Sequence, residues 1–218
     1  MATQKGTKKR AKKSVKARRT RHATNAKKQA SKKLVKKKGI QRASVSPRKT
    51  PSVMVRSPRV ASMPKVGTIA PAISLPDQDG KIRTLEEVRG KWLLLYFYPK
   101  DDTPGCTKEA CMIRDGFPFF EKIGAIVYGV SVDSVASHKK FAQKYQLPFR
   151  VLSDEKKAAV TAYGVWGEKK FMGRKYMGTN RVSFLIAPDG TIAKVYPKVD
   201  PVTHADEVLR DLSELRRA

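Results

Sequence analysis

The first 76 residues contain no Asp or Glu, and the first 65 contain no aromatic residue. All 19 acids follow from Asp77 onward, whereas 23 of the 47 Lys and Arg precede residue 66. Residues 1–65 therefore carry a formal +23, and the remaining 24 cations against 19 acids leave +5. Without aromatic or many large apolar groups, this segment buries too little surface to offset chain entropy and is expected to be disordered when free. Cysteine is scarce as well. Cys106 and Cys111 are too few for a disulfide framework, and His22, His138 and His204 show no ligand spacing that would complete a metal set. No apolar run approaches the ~20 residues of a bilayer-spanning helix, and the N-terminus lacks the apolar core of a secretory signal. No metal, cofactor or membrane partner is expected.

What is present in the tail is dense positive charge. Clusters such as Lys8-Lys9-Arg10-Ala11-Lys12-Lys13 and Lys32-Lys33-Leu34-Val35-Lys36-Lys37-Lys38 suit electrostatic binding to a polyanion, nucleic acid being the most abundant. They also match nuclear import signals. Ser46-Pro47-Arg48-Lys49, Thr50-Pro51 and Ser57-Pro58-Arg59 favour extended or turn conformations. Phosphorylation at Ser46, Thr50 or Ser57 would cancel up to ~2 charges each. The expected address is the nucleus. A mitochondrion or other organelle is the alternative, ranked lower because Lys outnumbers Arg and no apolar face recurs at helical spacing. A solvated tail that only directs targeting is the plainer reading of the same residues.

From Val66 onward about 150 residues remain, enough for a substantial core. Two organisational units follow: a basic tail over 1–65 and a globular domain over 66–218. Ala72–Leu75 and Lys81–Thr84 read as a hairpin around Pro76-Asp77-Gln78-Asp79-Gly80, a plain turn without the downstream Glu of a calcium loop. Strands are predicted at Trp92–Tyr98, Ala125–Val132 and Arg150–Leu152, and helices from about Gly105 to Phe120, Ser134 to Tyr145 and Glu155 to Tyr163. The Gly-rich stretch Gly164–Asn180 reads as a packed loop. A hairpin, Val182–Ala187 with Thr191–Tyr196, and a helix over Thr203–Arg216 close the chain. This order implies an α/β fold with a mixed central sheet flanked by helices.

The chemistry concentrates at Pro99–Cys111. Cys106 falls in the first turn of a predicted helix, where unpaired N–H groups and the macrodipole favour a thiolate, the nucleophilic form. Thr103 can place its hydroxyl beside the sulfur, and Pro99 and Pro104 stiffen the loop. A thiolate so held suits attack on a peroxide O–O bond, giving a sulfenic acid that condenses with a nearby thiol. Cys111 is either that second thiol or a buried core cysteine. On one helix, residues five apart have Cα atoms ~8–9 Å apart and diverge by ~140°, beyond the ~7 Å limit of a disulfide. Pairing therefore requires the helix start to unwind. A disulfide oxidoreductase is the weaker enzyme reading, because that chemistry uses Cys-x-x-Cys.

The pattern Pro99-x-x-x-Thr103-x-x-Cys106 resembles the active-site signature of peroxiredoxins. The longer run Tyr96–Cys111, with Tyr163–Lys170 and Arg181–Ile186, is similar to the bacterioferritin-comigratory, or peroxiredoxin Q, subfamily. The resemblance extends from about Val66 to the C-terminus and does not cover 1–65. It implies a thioredoxin-like fold and thiol-dependent reduction of hydrogen peroxide and organic hydroperoxides. It further implies Cys106 as the peroxidatic cysteine, Cys111 as the resolving one, Pro99, Thr103 and Arg181 as further site residues, a thioredoxin-like reductant, and a monomer. Glu109 either orients Arg181 or sits on a helix face. The competing class is a nucleic-acid-binding redox sensor in which turnover is secondary, on the strength of the +23 tail.

Overall fold

A strand with no polar position needs cover on both faces, and the run around Leu93–Phe97 receives it. The computed structural model describes residues 62–217 apart from Met172, so the tail expected over 1–65 lies almost wholly outside the described residues. The element order is β1 (Ser74–Pro76), β2 (Ile82–Thr84), β3 (Leu93–Phe97), α1 (Pro104–Lys122), β4 (Ile126–Ser131), α2 (Val135–Tyr145) and β5 (Arg150–Ser153). It continues with α3 (Ala158–Ala162), β6 (Trp166–Phe171), β7 (Arg174–Thr179), β8 (Val182–Ile186), β9 (Ile192–Tyr196) and α4 (His204–Leu215). Five strands form the main sheet in the order β5-β4-β3-β8-β9. β3, β4 and β5 run parallel, and β8 and β9 join antiparallel. The mixed central sheet flanked by helices is the expected thioredoxin-like α/β architecture.

Alternation along β3 divides the core in two. Leu94, Tyr96 and Tyr98 face a cluster with Cys106, Ala110, Ile113 and Phe120 of α1, Phe141 of α2, and Ala205, Val208 and Leu212 of α4. Leu93, Leu95 and Phe97 face the other cluster, with Ala159 and Val160 of α3, Tyr163, and Leu75 of β1. Met63 packs against this second cluster, and the Gly67 amide bonds the Ile192 carbonyl at 2.8 Å. The chain is thus tied to the domain from just before residue 66. Among the described residues no helix is long and apolar enough to cross a membrane.

One expectation is corrected. Gly164–Asn180 is not an irregular loop: β6 and β7 pair antiparallel from Trp166↔Thr179 to Phe171↔Arg174, with Gly173 (φ +79°) in the tight turn. The ribbon stands apart from the main sheet, and most of β7 is exposed. Its sequence therefore carries no apolar–polar alternation of the kind that marks a half-buried strand.

A close approach beneath the active-site strand depends on a glycine. Tyr96 of β3 lies opposite Gly129 of β4, and a Cβ at Gly129 would come within 2.6 Å of the Tyr96 ring. Tyr96 is fully buried, stacked on Tyr98 and edge-on to Phe149, so it has nowhere to move. Gly129→Ala is expected to lower stability by about 1–3 kcal/mol, as overpacking does. Chemical denaturation would show it as a lower midpoint with an unchanged slope.

Candidate active site

The six-residue connection Tyr98–Thr103 leaves the end of β3 and delivers the chain to α1. Asp101 fixes its middle. The Asp101 amide donates to Asp133 Oδ2 at 2.9 Å, and its carboxylate accepts from Tyr98 (2.7 Å), Ser137 (2.7 Å) and His138 Nδ1 (2.8 Å). Burial disfavours its charge, but the hydrogen bonds from His138, Ser137 and Tyr98 outweigh it and hold the carboxyl below the ordinary range. Asp102, next in line, has φ +54°, the left-handed region that Asp tolerates better than most residues. Thr103 is the N-cap and Pro104 occupies the first turn, where a missing N–H costs nothing.

Cys106 is then held in the first turn of α1, 2% exposed. Its sulfur accepts from Arg181 Nη2 at 3.2 Å. The same guanidinium pairs through Nη1 with Glu109, one turn further along α1 and almost fully buried. Gly105 makes room for this arrangement, since a Cβ there would stand 3.2 Å from Arg181 Nη2. Arg181 enters from the position before β8, which pairs with β3 in the sheet. Burial pushes the Glu109 carboxyl up to about 7 against the pull of Arg181. It therefore titrates near neutrality while sharing its cation with the sulfur.

The predicted site residues divide into two groups. Cys106 and Arg181 are in direct contact. Pro99 and Thr103 lie in the loop that leads to α1, and the Thr103 hydroxyl donates to the Lys100 carbonyl at 3.1 Å rather than to the sulfur. Cys111 is half-buried, and both thiols are free. It is therefore not the fully buried core cysteine of the alternative reading. Lys169 falls within the Tyr163–Lys170 run that resembles the subfamily, but the sequence assigns it no role, because its stretch reads as a loop. It spans the β6–β7 ribbon to the Thr179 carbonyl at 2.6 Å, and burial, then the charge of Arg181, hold its ammonium below the ordinary range. Cys106 acts in the opposite sense on Lys169, which places this second cation within electrostatic reach of the sulfur. Behind the site, His204 is fully buried with Nε2 2.9 Å from the Ser183 hydroxyl. Burial, then Arg181, push it down to about 4, so it is neutral at neutral pH. Among the described residues no group of His, Cys, Asp and Glu is arranged to hold a metal ion.

The family model described as AhpC/TSA family matches residues 66–195. The chain belongs to that family. It is 47% identical over 150 residues to peroxiredoxin Bcp of Escherichia coli, covering 69% of this chain and 96% of the relative. It is 38% identical over 181 residues to the chloroplastic peroxiredoxin Q of Sedum lineare, covering 82% and 94%. The bacterioferritin comigratory protein of Xanthomonas campestris, studied for its alkyl peroxide reduction activity, superposes with a TM-score of 0.62 at 39% identity, covering 65% of this chain and 90% of that one. This places the protein among the peroxiredoxins of the bacterioferritin-comigratory/peroxiredoxin Q group, with the thiol-peroxidase activity typical of them.

The peroxiredoxin site carries a pH signature. Below about pH 7 the neutral Glu109 leaves the whole guanidinium charge to the sulfur, and above it the carboxylate takes a share. Glu109 is expected to contribute a limb that lowers the rate of Cys106 oxidation as pH rises through its titration, and Glu109→Gln removes that limb. Superimposable profiles of the two proteins between about pH 6 and 8 would refute this. Arg181→Met is expected to slow the same step by about 10²–10³-fold, in line with losing one preorganised charge donor.

Proposed function

We propose that the protein reduces hydrogen peroxide and organic hydroperoxides through a Cys106 sulfenic acid and an intramolecular Cys106–Cys111 disulfide, recycled by a thioredoxin-like dithiol. The observation that carries this reading is the placement of the Cys106 sulfur. It lies at the N-terminus of α1 under the guanidinium of Arg181, with the only other thiol five residues along the same helix. The Cys106 thiolate attacks the nearer oxygen of the O–O bond. The sulfur–oxygen bond forms, the O–O bond breaks, and the departing alkoxide or hydroxide takes up a proton. Arg181 stabilises negative charge on the sulfur before attack and on the oxygens during it. The Cys111 sulfur then displaces water from the sulfenic acid, giving the disulfide. Two electrons from an external dithiol restore both thiols.

Cys106→Ser is expected to abolish peroxide consumption with a reductant present. Cys111→Ser is expected to keep the first oxidation and lose turnover with a thioredoxin-like donor. Peroxide consumption by Cys106→Ser at the wild-type rate would refute the reading.

The tail supports a second element of the proposal. Its +23 lies outside the matched family region, which begins at residue 66. We propose that residues 1–65 hold the enzyme at nucleic acid, with the nucleus as its address. The organelle reading is favoured by one fact, the match over 181 residues to a chloroplastic relative. A chain starting at Ser62 keeps Met63 on the core and separates the possibilities. Full peroxidase activity with lost, salt-dependent DNA retention makes the tail an address. Retained DNA binding would remove the tail from that role. Lost turnover would make the tail part of the catalyst. Imaging of the tagged full-length chain decides between nucleus and organelle.

A further inference from the structure

If the two cysteines pair as proposed, the segment between Asp101 and Arg114 must unwind, and something must set where unwinding starts and stops. α2 touches both limits. Ser137 and His138 bind the Asp101 carboxylate at 2.7 and 2.8 Å. Seven residues on, Lys144 and Tyr145 bind Asp102: Lys144 Nζ at 2.8 Å from both carboxylate oxygens, and the Tyr145 hydroxyl on Oδ1. Seven residues at 100° each return to within ~20° of the starting direction, so these pairs form one stripe along α2. The stripe continues to the far limit. The backbone carbonyl of Tyr145, one of the acceptors left open at a helix C-terminus, receives Arg114 Nη1 at 2.9 Å. Arg114 lies three residues beyond Cys111 and within electrostatic reach of it.

The two anchors differ in kind. Asp101 is 7% exposed and tied by four bonds, one of them from its own amide. Asp102 is exposed, sits at φ +54° and depends on side-chain contacts to Lys144 and Tyr145 that water can replace. A residue kept in the left-handed region stores strain that is released when its restraint lets go. We propose that the C-terminal end of α2, through Lys144 and Tyr145, is a latch on the cysteine-bearing segment. Asp102 and Arg114 are the positioning residues it holds, and opening the Asp102 contact starts the unwinding that brings Cys111 to Cys106. Asp101 stays in place as the fixed end, and Arg114 marks the point beyond which α1 stays wound. Beyond that point α1 runs close to α4, where a Cβ on Gly116 would stand 3.6 Å from Leu209 and 3.9 Å from Ala205.

The latch predicts a change in one step and not in the other, which a general loss of stability would not produce. In single turnovers, Asp102→Asn and Tyr145→Phe are expected to speed disulfide formation from the sulfenic acid by about three- to tenfold, the worth of one exposed hydrogen bond or ion pair. Oxidation of Cys106 by hydrogen peroxide changes by less than about twofold, because the wound form still dominates. The faster competing step lowers the yield of Cys106 sulfinic acid at high peroxide. Added salt weakens the exposed Lys144–Asp102 pair and is expected to quicken disulfide formation in the wild type but not in Asp102→Asn. Arg114→Gln loosens the far limit and is expected to speed the same step. Peptide mapping of the oxidised wild type separates the two ideas at stake. Absence of a Cys106–Cys111 disulfide overturns both the proposed cycle and the latch. A disulfide that forms in the variants no faster than in the wild type, with no salt effect, overturns the latch alone.

Discussion

One guanidinium is shared by a buried sulfur and a buried carboxyl group, and the active site depends on how that sharing is held. Arg181 touches the Cys106 sulfur with one nitrogen and Glu109 with the other, and both partners belong to successive turns of α1. A buried cation and carboxylate would each be costly alone. Placed together beside a thiol, they make a site whose charge is set by geometry rather than by solvent. The fork of arginine serves this better than a lysine, which offers a point charge and no fixed angle between two partners.

That sharing makes demands on the rest of the fold. β3 and β8 must be neighbours so that the chain before β8 lies over the start of α1, and the antiparallel pairing Phe97↔Val182 puts them there. Gly105 must lack a side chain where the guanidinium passes. The loop after β3 must return to the same place each time, which is the work of Asp101 and its partners on β3 and α2. His204 and Ser183 complete the support beneath with a neutral hydrogen bond that adds no competing charge.

Rigidity at this site stands against a need for motion. Cys106 and Cys111 point to different sides of one helix, so the arrangement proposed for oxidation excludes the proposed disulfide. The restraints are graded accordingly. Buried, multiply bonded Asp101 precedes exposed Asp102 at the start of the segment proposed to open. Local stability that varies along a helix in this way lets one region open without loss of the whole fold.

Much of this was written in local sequence. The doubly covered strand, the cysteine in a helix first turn, the Cys-x-x-x-x-Cys spacing and the charge break near residue 66 follow from side-chain period, propensity and composition, which are local quantities. Arg181 was legible only through its likeness to a family motif, because its place over Cys106 depends on strand pairing 75 residues away. The β6–β7 ribbon was misread as a loop, since a ribbon apart from the main sheet shows no burial period. Thr103 was credited with a bond to the sulfur that the loop's own turn takes for Lys100. The α2 partners of Asp101, Asp102 and Arg114 form one stripe, more than 30 residues distant. The sequence by itself singled out the cysteine proposed to react and the helix opening that the proposed disulfide needs, because both follow from spacing along one helix. Only the tertiary structure decided which cation stands beside that sulfur and which side chains of α2 hold the loop before it, because both depend on segments brought together by the sheet and by packing.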